Sequence, residues 1–276
     1  MTLEPEELGP SRNDLAGKLR DLRKRAGLTG DRLARRCNMS QSQISKFETG
    51  KKTPTLVDVE RILRALDASP EDIAEIMALA RIANTEWEGK RSSRRRGVEK
   101  RQVELAALES EATELRYFLP AMITGLLATP DFVRASLTHV PGDVSKVVAK
   151  KLERQSALYN NSKRFTFLLT EQAARWAIVP ALAMTVQIDH LTSLSRLPNV
   201  NLGVIPIGTL MPRGPMNTFT IYDERLVTVE NFTGRMVFRD ARDISEHLAV
   251  FAEFERQARF GDEARNLLRE WSEAYR

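Results

Sequence analysis

Residues 28–50, LTGDRLARRCNMSQSQISKFETG, decide the fold because their pattern is that of two short helices joined by a tight turn. Ser40 and Gln43 form a Ser-x-x-Gln capping box and predict where the second helix begins. Ile44 and Phe47 are three residues apart and predict its buried face. The polar residues on its other side predict an outward face that is free to bind another molecule.

The outward face of this helix carries side chains of the kinds that hydrogen-bond to base edges in the DNA major groove. The residues expected there are Gln41, Ser42, Ser45 and Lys46. A short basic loop follows the helix, and such loops can lie along phosphates. Phosphate contacts are therefore expected from residues that flank the helix, namely Thr29, Arg32, Lys51, Lys52 and Thr53.

The composition is that of an ordinary soluble protein, with 276 residues, 42% hydrophobic and 29% charged. This length is sufficient for two domains. The most apolar runs are far shorter than the roughly 20 residues that span a bilayer. The N-terminus, MTLEPEELGP, has no features of a secretion signal, so we expect a cytoplasmic protein that is nucleoid-associated when bound to DNA.

Cysteine and histidine usage excludes several kinds of site. Cys37 is the single cysteine, so no intrachain disulfide can form, and its spacing from Leu33 favours a buried, inert thiol over a redox sensor. The three histidines are far apart and have no metal-ligand spacing. Neither a metal site nor a cofactor is expected.

The positive charge is concentrated in the N-terminal part of the chain. Residues 1–101 contain 22 basic and 16 acidic side chains, a net charge of +6, whereas the remainder contains 20 basic and 21 acidic ones, a net charge of −1. A localised basic field attracts a phosphate backbone and releases its counterions. The charge therefore agrees with DNA binding by the part that contains the capped helix.

Helical signals around this unit predict five helices within residues 13–88, preceded by a flexible tail at residues 1–12. The first helix begins near Asn13, with an apolar stripe through Leu15, Leu19, Leu22 and Ala26, and the fifth begins at Ser69 and Pro70. Apolar anchors of the fifth helix are expected at Ile73, Ile76, Ala80, Ala83 and Trp87. The first domain is thus predicted to be entirely α-helical.

Residues 89–101 are rich in arginine and lysine and are expected to form a basic linker. A solvated linker and an added electrostatic grip on DNA are both open interpretations. A helix is then predicted over residues 99–119. It is either a dimer-forming helix or the first core helix of a second domain.

Residues 102–276 have a mixed α/β pattern, which predicts an α+β protein overall. Short β-prone runs occur at residues 165–169, 200–205, 219–222 and 226–230, and the last two are separated by Asp223, Glu224 and Arg225, which predict a hairpin. A helix is expected over residues 180–197, with anchors at Leu182, Val186, Leu191 and Leu194. Two more helices are expected over residues 244–257 and 262–275. Trp176 is expected to be a core residue.

The first domain resembles the lambda-repressor-like helix-turn-helix regulators of the xenobiotic-response-element type. The resemblance lies in Leu33, Ala34, Ser40, Ile44, Ser45, Phe47, Glu48 and Gly50. It implies a five-helix domain that binds as a homodimer to a near-palindromic operator in double-stranded DNA. It also implies base contacts by Gln41, Ser42 and Lys46, and by Gln43 at a lower rank because the cap competes for that side chain. The family often has glutamine where this chain has Gly30.

The second domain resembles that of an actinobacterial group of antitoxin-like regulators, the WhiJ type. The matching stretches are ITGLLATPDFVRA (123–135), MTVQIDHL (184–191), LPNVNLGVIP (197–206) and FTIYDERLVTVE (219–230). The group usually has proline and glutamine where this chain has Thr124 and Ala128. The resemblance implies that the domain binds a small acidic partner protein.

Residues 206–218, PIGTLMPRGPMNT, form a long irregular connection with apolar side chains. It is either an ordinary connection or a loop that contacts a partner or ligand, for which Met211, Arg213 and Met216 are the candidates. The resulting hypotheses are a transcription regulator whose second domain responds to a partner or effector, and an antitoxin that regulates its own operon. An enzyme is not expected, because no catalytic motif is present and Asp189, Glu230 and Asp240 are interpreted as surface or hairpin carboxylates.

Overall fold

The computed structural model describes residues 11–89, 98–231 and 234–276. These residues divide into two compact units, one formed by the chain up to Trp87 with Met236–Asp240 and the other by Glu88–Arg235 and Ala241–Arg276. The first unit is mainly helical and the second is mixed α/β. The fold is therefore of the α+β class, as the sequence predicts.

Five helices lie among the described residues of the first unit, as the sequence predicts. They are α1 (Ser11–Arg25), α2 (Gly30–Cys37), α3 (Gln41–Glu48), α4 (Leu56–Ala65) and α5 (Pro70–Asn84), and the strand β1 (Thr85–Gly89) follows. Thr55 and Asp58 form a reciprocal capping box at the start of α4. The apolar faces meet in one core that includes Leu33, Ile44 and Phe47.

Three details of the predicted helices in this unit are wrong. The fifth helix ends at Asn84 instead of continuing to residue 87, because the chain turns into β1. Ile73 is 41% exposed, since it lies in the first turn of α5, before the buried stripe of Ile76, Ala80 and Ala83. Ala26 follows the last turn of α1 and is also exposed.

The second unit alternates helices with strands. Its helices are α6 (Val98–Glu111), α7 (Pro130–Ala135), α8 (Ser145–Glu153), α9 (Glu171–Arg175), α10 (Ala181–Leu194), α11 (Ala241–Glu255) and α12 (Gly261–Glu273), with a 3-10 helix (Arg154–Tyr159) after α8. Its strands are β2 (Glu114–Leu119), β3 (Arg164–Thr170), β4 (Val200–Ile205), β5 (Thr218–Tyr222) and β6 (Leu226–Glu230), and β7 (Gly234–Phe238) begins in this unit and ends in the segment Met236–Asp240 of the first.

These six strands of the described chain are ordered β7-β6-β5-β2-β3-β4 in the sheet. Strands β2, β3 and β4 are parallel neighbours, whereas β5 is antiparallel to both β2 and β6. The predicted hairpin is confirmed, with Asp223 in the left-handed conformation at its turn. The far edge of β4 is closed where Val204 and Arg259 exchange two backbone hydrogen bonds of 2.8 and 2.9 Å.

The prediction of one helix over residues 99–119 is wrong in its second half. The helix α6 ends at Glu111, and β2 lies between β3 and β5 in the sheet. Leu115, Tyr117 and Phe118 are all buried, so both faces of β2 are covered. A strand covered on both faces lacks the alternation of apolar and polar residues, and its apolar run resembles that of a helix in sequence. Pairing with strands from distant parts of the chain decided its conformation.

The helix α6 contacts the rest of the second unit through two buried polar side chains, while its Val103 is 53% exposed. Its Glu109 is buried and forms an ion pair with Arg154, whose guanidinium also donates to Gln102 Oε1 at 2.5 Å. The Tyr117 hydroxyl donates to Glu109 Oε1 at 3.3 Å. Burial, together with the Glu109 carboxylate, raises the pKa of Tyr117 well above its usual value.

The buried face of α10 also differs from the prediction. Leu182 and Val186 are exposed, whereas Met184, Gln187 and Ile188 are fully buried. Gln187 is buried because its side-chain amide is satisfied: Oε1 accepts from the Thr129 amide at 2.7 Å and Nε2 donates to the Leu127 carbonyl at 2.8 Å. The buried face of α10 therefore includes Gln187 at a position where a periodic apolar stripe would have an aliphatic side chain.

Two further placements differ from expectation. Trp176, expected in the core, is 54% exposed just after α9. Asp240, expected at the surface, is buried directly before α11. Neither position lies inside a periodic segment, so the sequence pattern carried no signal for its burial.

Candidate nucleic-acid interface

The turn between α2 and α3 fixes the angle between these two helices. Thr29 caps α2 by accepting a hydrogen bond from the Arg32 amide. Asn38 ends α2 in the left-handed conformation, with φ of 54°, and the Met39 amide then donates to the Ala34 carbonyl at 2.9 Å. Asparagine tolerates this conformation better than most residues. The tight turn predicted from the sequence is confirmed.

The capping box at the start of α3 is formed in both directions. Ser40 Oγ accepts from the Gln43 amide at 3.2 Å, and the Ser40 amide donates to Gln43 Oε1 at 3.1 Å. Ile44 and Phe47 are each 1% exposed and hold the helix against the core. The cap and the anchors together determine which residues of α3 face solvent.

The predicted base-contacting residues lie together on the solvent face of α3. Gln41, Ser42, Ser45 and Lys46 are exposed, whereas Gln43 is half-buried with its amide oxygen used in the cap. Lys46 is in the last turn of the helix. The face therefore combines amide, hydroxyl and ammonium groups over two helical turns, which are the groups that read base edges.

Gly30 leaves room for the side chain of Gln41. A Cβ atom built on Gly30 would lie 3.9 Å from Gln41 Nε2, so the amide group is next to the first residue of α2. A longer side chain at position 30 would share this space. The absence of a side chain here leaves Gln41 without a bracing partner from that position.

The predicted phosphate contacts divide by accessibility. Thr29, Arg32, Lys51 and Lys52 are exposed. The Lys52 amide donates to the Lys46 carbonyl at 3.1 Å, and its ammonium lies 5.8 Å from the centre of the Phe47 ring, which ties this residue to α3. Thr53 Oγ1 is buried without a hydrogen-bond partner, so a phosphate contact by this hydroxyl requires its side chain to rotate.

Sequence reasoning missed the ion pair that fixes the other end of α3. Arg23 in α1 forms a bidentate pair with Glu48, the last residue of α3. The two residues are 25 positions apart, so no local spacing indicates the contact. The opposite charges of the two side chains are the one sequence signal for this contact. Many other pairs of charged residues in the chain carry the same signal.

The candidate partner loop in the second unit is partly exposed. Met216 is 88% exposed and Met211 is half-buried, while Arg213 forms a bidentate ion pair with Glu253 of α11. The prediction overlooked Ile207 and Leu210, which are 74% and 91% exposed. This loop follows the carboxyl end of the parallel strand β4, where binding sites of α/β sheets commonly lie, and that topology could have drawn attention to both residues.

In the described part of the chain, no cluster of histidine, cysteine, aspartate or glutamate could hold a metal ion. Cys37 is buried, and burial raises the pKa of its thiol, which favours the inert interpretation. None of the described helices combines the length and apolarity needed to cross a bilayer.

Each of the two units matches a known family model. Residues 102–270 match a family model described as a domain of unknown function, DUF5753. The chain belongs to this family. Residues 14–76 match a model described as a helix-turn-helix domain, which covers α2 and α3. This match and the exposed polar face of α3 agree that the first unit is a DNA-binding domain.

Two solved structures are weakly similar to this DUF5753 protein. One is a phospholipase D family member, Nuc from Salmonella typhimurium, at 13% identity, with a TM-score of 0.35 over 58% of this chain and 90% of that one. The other is TrmBL2, an archaeal chromatin protein, at 16% identity, with a TM-score of 0.32 over 73% of this chain and 64% of that one. Both TM-scores are too low to carry an inference. No curated protein sequence matched the chain.

Proposed function

We propose that this protein is a sequence-specific transcriptional regulator of the lambda-repressor-like type that reads its operator with α3. The observation that carries the proposal is the division of α3 into two faces. Ile44 and Phe47 are buried, while Gln41, Ser42 and Lys46 are exposed together on the opposite side. A helix held in this way can enter a major groove without unfolding its own core.

The proposed complex is a homodimer on a near-palindromic operator. Two copies of α3 would read two half-sites about one helical turn apart. Exposed Arg32, Lys51 and Lys52 would contact phosphates beside each half-site and fix the register. The protein would act in the cytoplasm, where the DNA lies.

The second unit is proposed to bind a small acidic partner protein or another effector that modulates operator binding. The loop after β4 supports this role because it exposes Leu210 and Met216, and large exposed apolar side chains in one loop are characteristic of interaction sites. Arg213 adds a guanidinium that is half exposed despite its pair with Glu253. An acidic partner could compete for that group.

The exposed loop equally favours a second candidate, an antitoxin that neutralises a small cognate protein and regulates its own operon. Gene deletion separates the two. If the gene for the cognate protein is kept and this gene is deleted, an antitoxin role predicts growth arrest. The regulator role predicts altered gene expression without arrest.

The proposed function is tested by selecting bound sequences from a random duplex pool with the full-length protein. A regulator should enrich a near-palindromic site, and no enrichment would contradict the proposal. Gln41→Ala and Lys46→Ala should then each weaken binding to the selected site by about 1 to 3 kcal/mol. Matched controls are Gln172→Ala and Lys146→Ala, because both residues are exposed in the second unit and should leave affinity unchanged.

Partner binding is tested separately by capture from cell extract followed by mass spectrometry. The double variant Met211→Ser with Met216→Ser should lose the captured partner while keeping its affinity for the selected DNA. If both activities fall together, the loop does not have the proposed separate role.

A further inference from the structure

Asn84 joins the end of α5 to the basic loop that follows α3. It is the last residue of α5, and its side-chain Nδ2 donates two hydrogen bonds. One goes to the Ala80 carbonyl at 2.8 Å and the other to the Pro54 carbonyl at 3.0 Å. The side chain therefore uses both amide hydrogens to bridge a helix end and a loop.

The bond to Ala80 makes this bridge depend on helical structure. Ala80 is four residues before Asn84, so its carbonyl lies beside the Asn84 side chain when the last turn of α5 is intact. Unwinding that turn would separate the two groups. The bond to Pro54 would then be lost as well, because the same nitrogen makes both.

Pro54 ends the basic loop of residues 51–54. Proline has no backbone N–H, so its carbonyl is its one backbone group for hydrogen bonding, and Asn84 supplies a donor to it. At the other end of the loop, the Lys52 amide donates to the Lys46 carbonyl in α3. Lys51 and Lys52 thus lie in a segment that α3 holds on one side and α5 holds on the other.

Asn84 also stands where the chain leaves the helical unit. The strand β1 begins at the next residue, Thr85, and the chain continues from there into the second unit. Unwinding of the last turn of α5 would therefore include Asn84.

We infer that Asn84 couples the exit of the helical unit to the position of the basic loop, so that the state of the second unit can alter the phosphate contacts of Lys51 and Lys52. The coupled element has two states. With the last turn of α5 formed, the loop is fixed beside α3; with the turn unwound, the loop is released. The effect on phosphate contacts rests on the proposed DNA binding. The coupling between the end of α5 and the basic loop does not, because it exists in the free protein.

The contact is tested first without DNA. Asn84→Leu keeps a similar volume but removes the amide donor, and a net hydrogen bond of about 1 kcal/mol corresponds to roughly 3- to 10-fold faster amide hydrogen exchange across residues 51–55. Ile73→Ala is the control, since it truncates an exposed residue of the same helix and should leave exchange in this loop unchanged. If Asn84→Leu leaves exchange in the loop unchanged, the inference is overturned.

A second variant acts on the helix exit without touching Asn84. Thr85→Pro disfavours the helical conformation of the preceding residue, and proline is tolerated at the first position of a strand. It should speed exchange across residues 51–55 as Asn84→Leu does. Both changes remove the same hydrogen bond, from Asn84 to the Pro54 carbonyl. Amide hydrogens of residues 51–55 should therefore exchange no faster in the double variant than in either single variant. Additive effects would overturn the inference, and Thr85→Pro also provides the test if Asn84→Leu does not fold.

The consequence for DNA is measured on the site selected by the wild-type protein. Asn84→Leu and Thr85→Pro should each weaken binding about 3- to 10-fold and reduce the salt dependence of binding, as expected when phosphate contacts are lost. Failure of the wild type to select any DNA would reject the proposed function while the exchange result still stands. Faster exchange with unchanged affinity and salt dependence would overturn the regulatory part of the inference.

Discussion

Arg23 and Glu48 form a bidentate ion pair that ties the last turn of α1 to the last residue of α3. Arg23 Nε lies 2.6 Å from Glu48 Oε1, and Nη2 lies 2.7 Å from Oε2. The remaining Nη1 donates to the Leu28 carbonyl at 2.7 Å, in the segment before α2. One guanidinium therefore holds α3, α1 and the connection to α2 together.

We expect Glu48→Ala to lower the free energy of unfolding by about 3 kcal/mol, because it leaves the Arg23 guanidinium largely buried without its carboxylate. The measurement is calorimetric unfolding of the full chain. Asp31→Ala is the control, since it breaks an exposed pair with Arg35 and should cost less than about 1 kcal/mol. Equal effects of the two changes would show that the Arg23 pair has no special structural role.

Gln41 and Gln43 should respond to alanine in opposite ways. Gln43→Ala removes half of the capping box and should cost about 1 kcal/mol of stability with little change in DNA specificity. Gln41→Ala should leave stability within about 0.5 kcal/mol, because the residue is exposed, but should relax sequence preference. Thermal unfolding and binding to single-base variants of the operator measure the two effects. Identical profiles would remove the distinction between cap and reader.

Lys51→Ala should weaken DNA binding to a similar extent on all sequences. A phosphate contact releases about one counterion, so the slope of log K against log salt should fall by about 1. Binding titrations at several salt concentrations measure this slope. Lys146→Ala removes the same charge from the second unit and should leave it unchanged; a change in base preference with Lys51→Ala would instead make Lys51 a base reader.

Asp223 should make stability depend on acidic pH. Burial alone would raise the pKa of this carboxyl, but hydrogen bonds from the Glu114 amide at 2.9 Å and from the Thr113 amide and hydroxyl at 3.0 Å lower it below its usual 3.8. The stabilisation is therefore complete above pH 3.8 and is lost as pH falls through the lowered folded-state pKa.

Asp223→Asn isolates this charge because asparagine also tolerates the left-handed backbone of the turn. It should cost about 1 to 2 kcal/mol at neutral pH, and its difference from wild type should shrink as pH is lowered through this range. Urea unfolding from pH 3 to pH 7 provides the measurement, with Asp131→Asn as the exposed control. A difference that does not vary with pH would mean that the charge of Asp223 is not the cause.

Gly203 should be intolerant of alanine because Phe260 packs against its Cα. A Cβ on Gly203 would lie 2.5 Å from the Phe260 ring, a distance at which the ring must move. Gly203→Ala should cost about 1 to 3 kcal/mol. Phe260→Leu should relieve part of this cost in the double variant, as measured by unfolding in urea. A double variant less stable than the sum of the single effects would point to another cause.

Much of the first unit follows from local sequence. The caps at Thr29, Ser40 and Thr55 and the turn at Asn38 each use hydrogen bonds between residues at most five positions apart. Local bonds of this kind form wherever the short pattern occurs, so they can be identified without a tertiary structure. The strands β4 and β6 were likewise placed from their β-branched residues and the turn residues that bound them.

The errors occur where distant contacts outweigh local pattern. The sequence of β2 suits a helix, but its pairing with β3 and β5 makes it a central strand. Gln187 is buried because Leu127 and Thr129 satisfy its amide, and no periodicity can show that.

The sequence by itself determined that α3 is a capped helix with a polar outer face, because its cap, its buried anchors and its exposed polar residues are all encoded within residues 40–47. The tertiary structure decided which distant residues hold that helix and the loop after it in place. The pair of Arg23 with Glu48 and the bridge from Asn84 to Pro54 join residues 25 and 30 positions apart. Such contacts depend on packing that brings chain segments together in space, and that packing is a property of the whole folded unit.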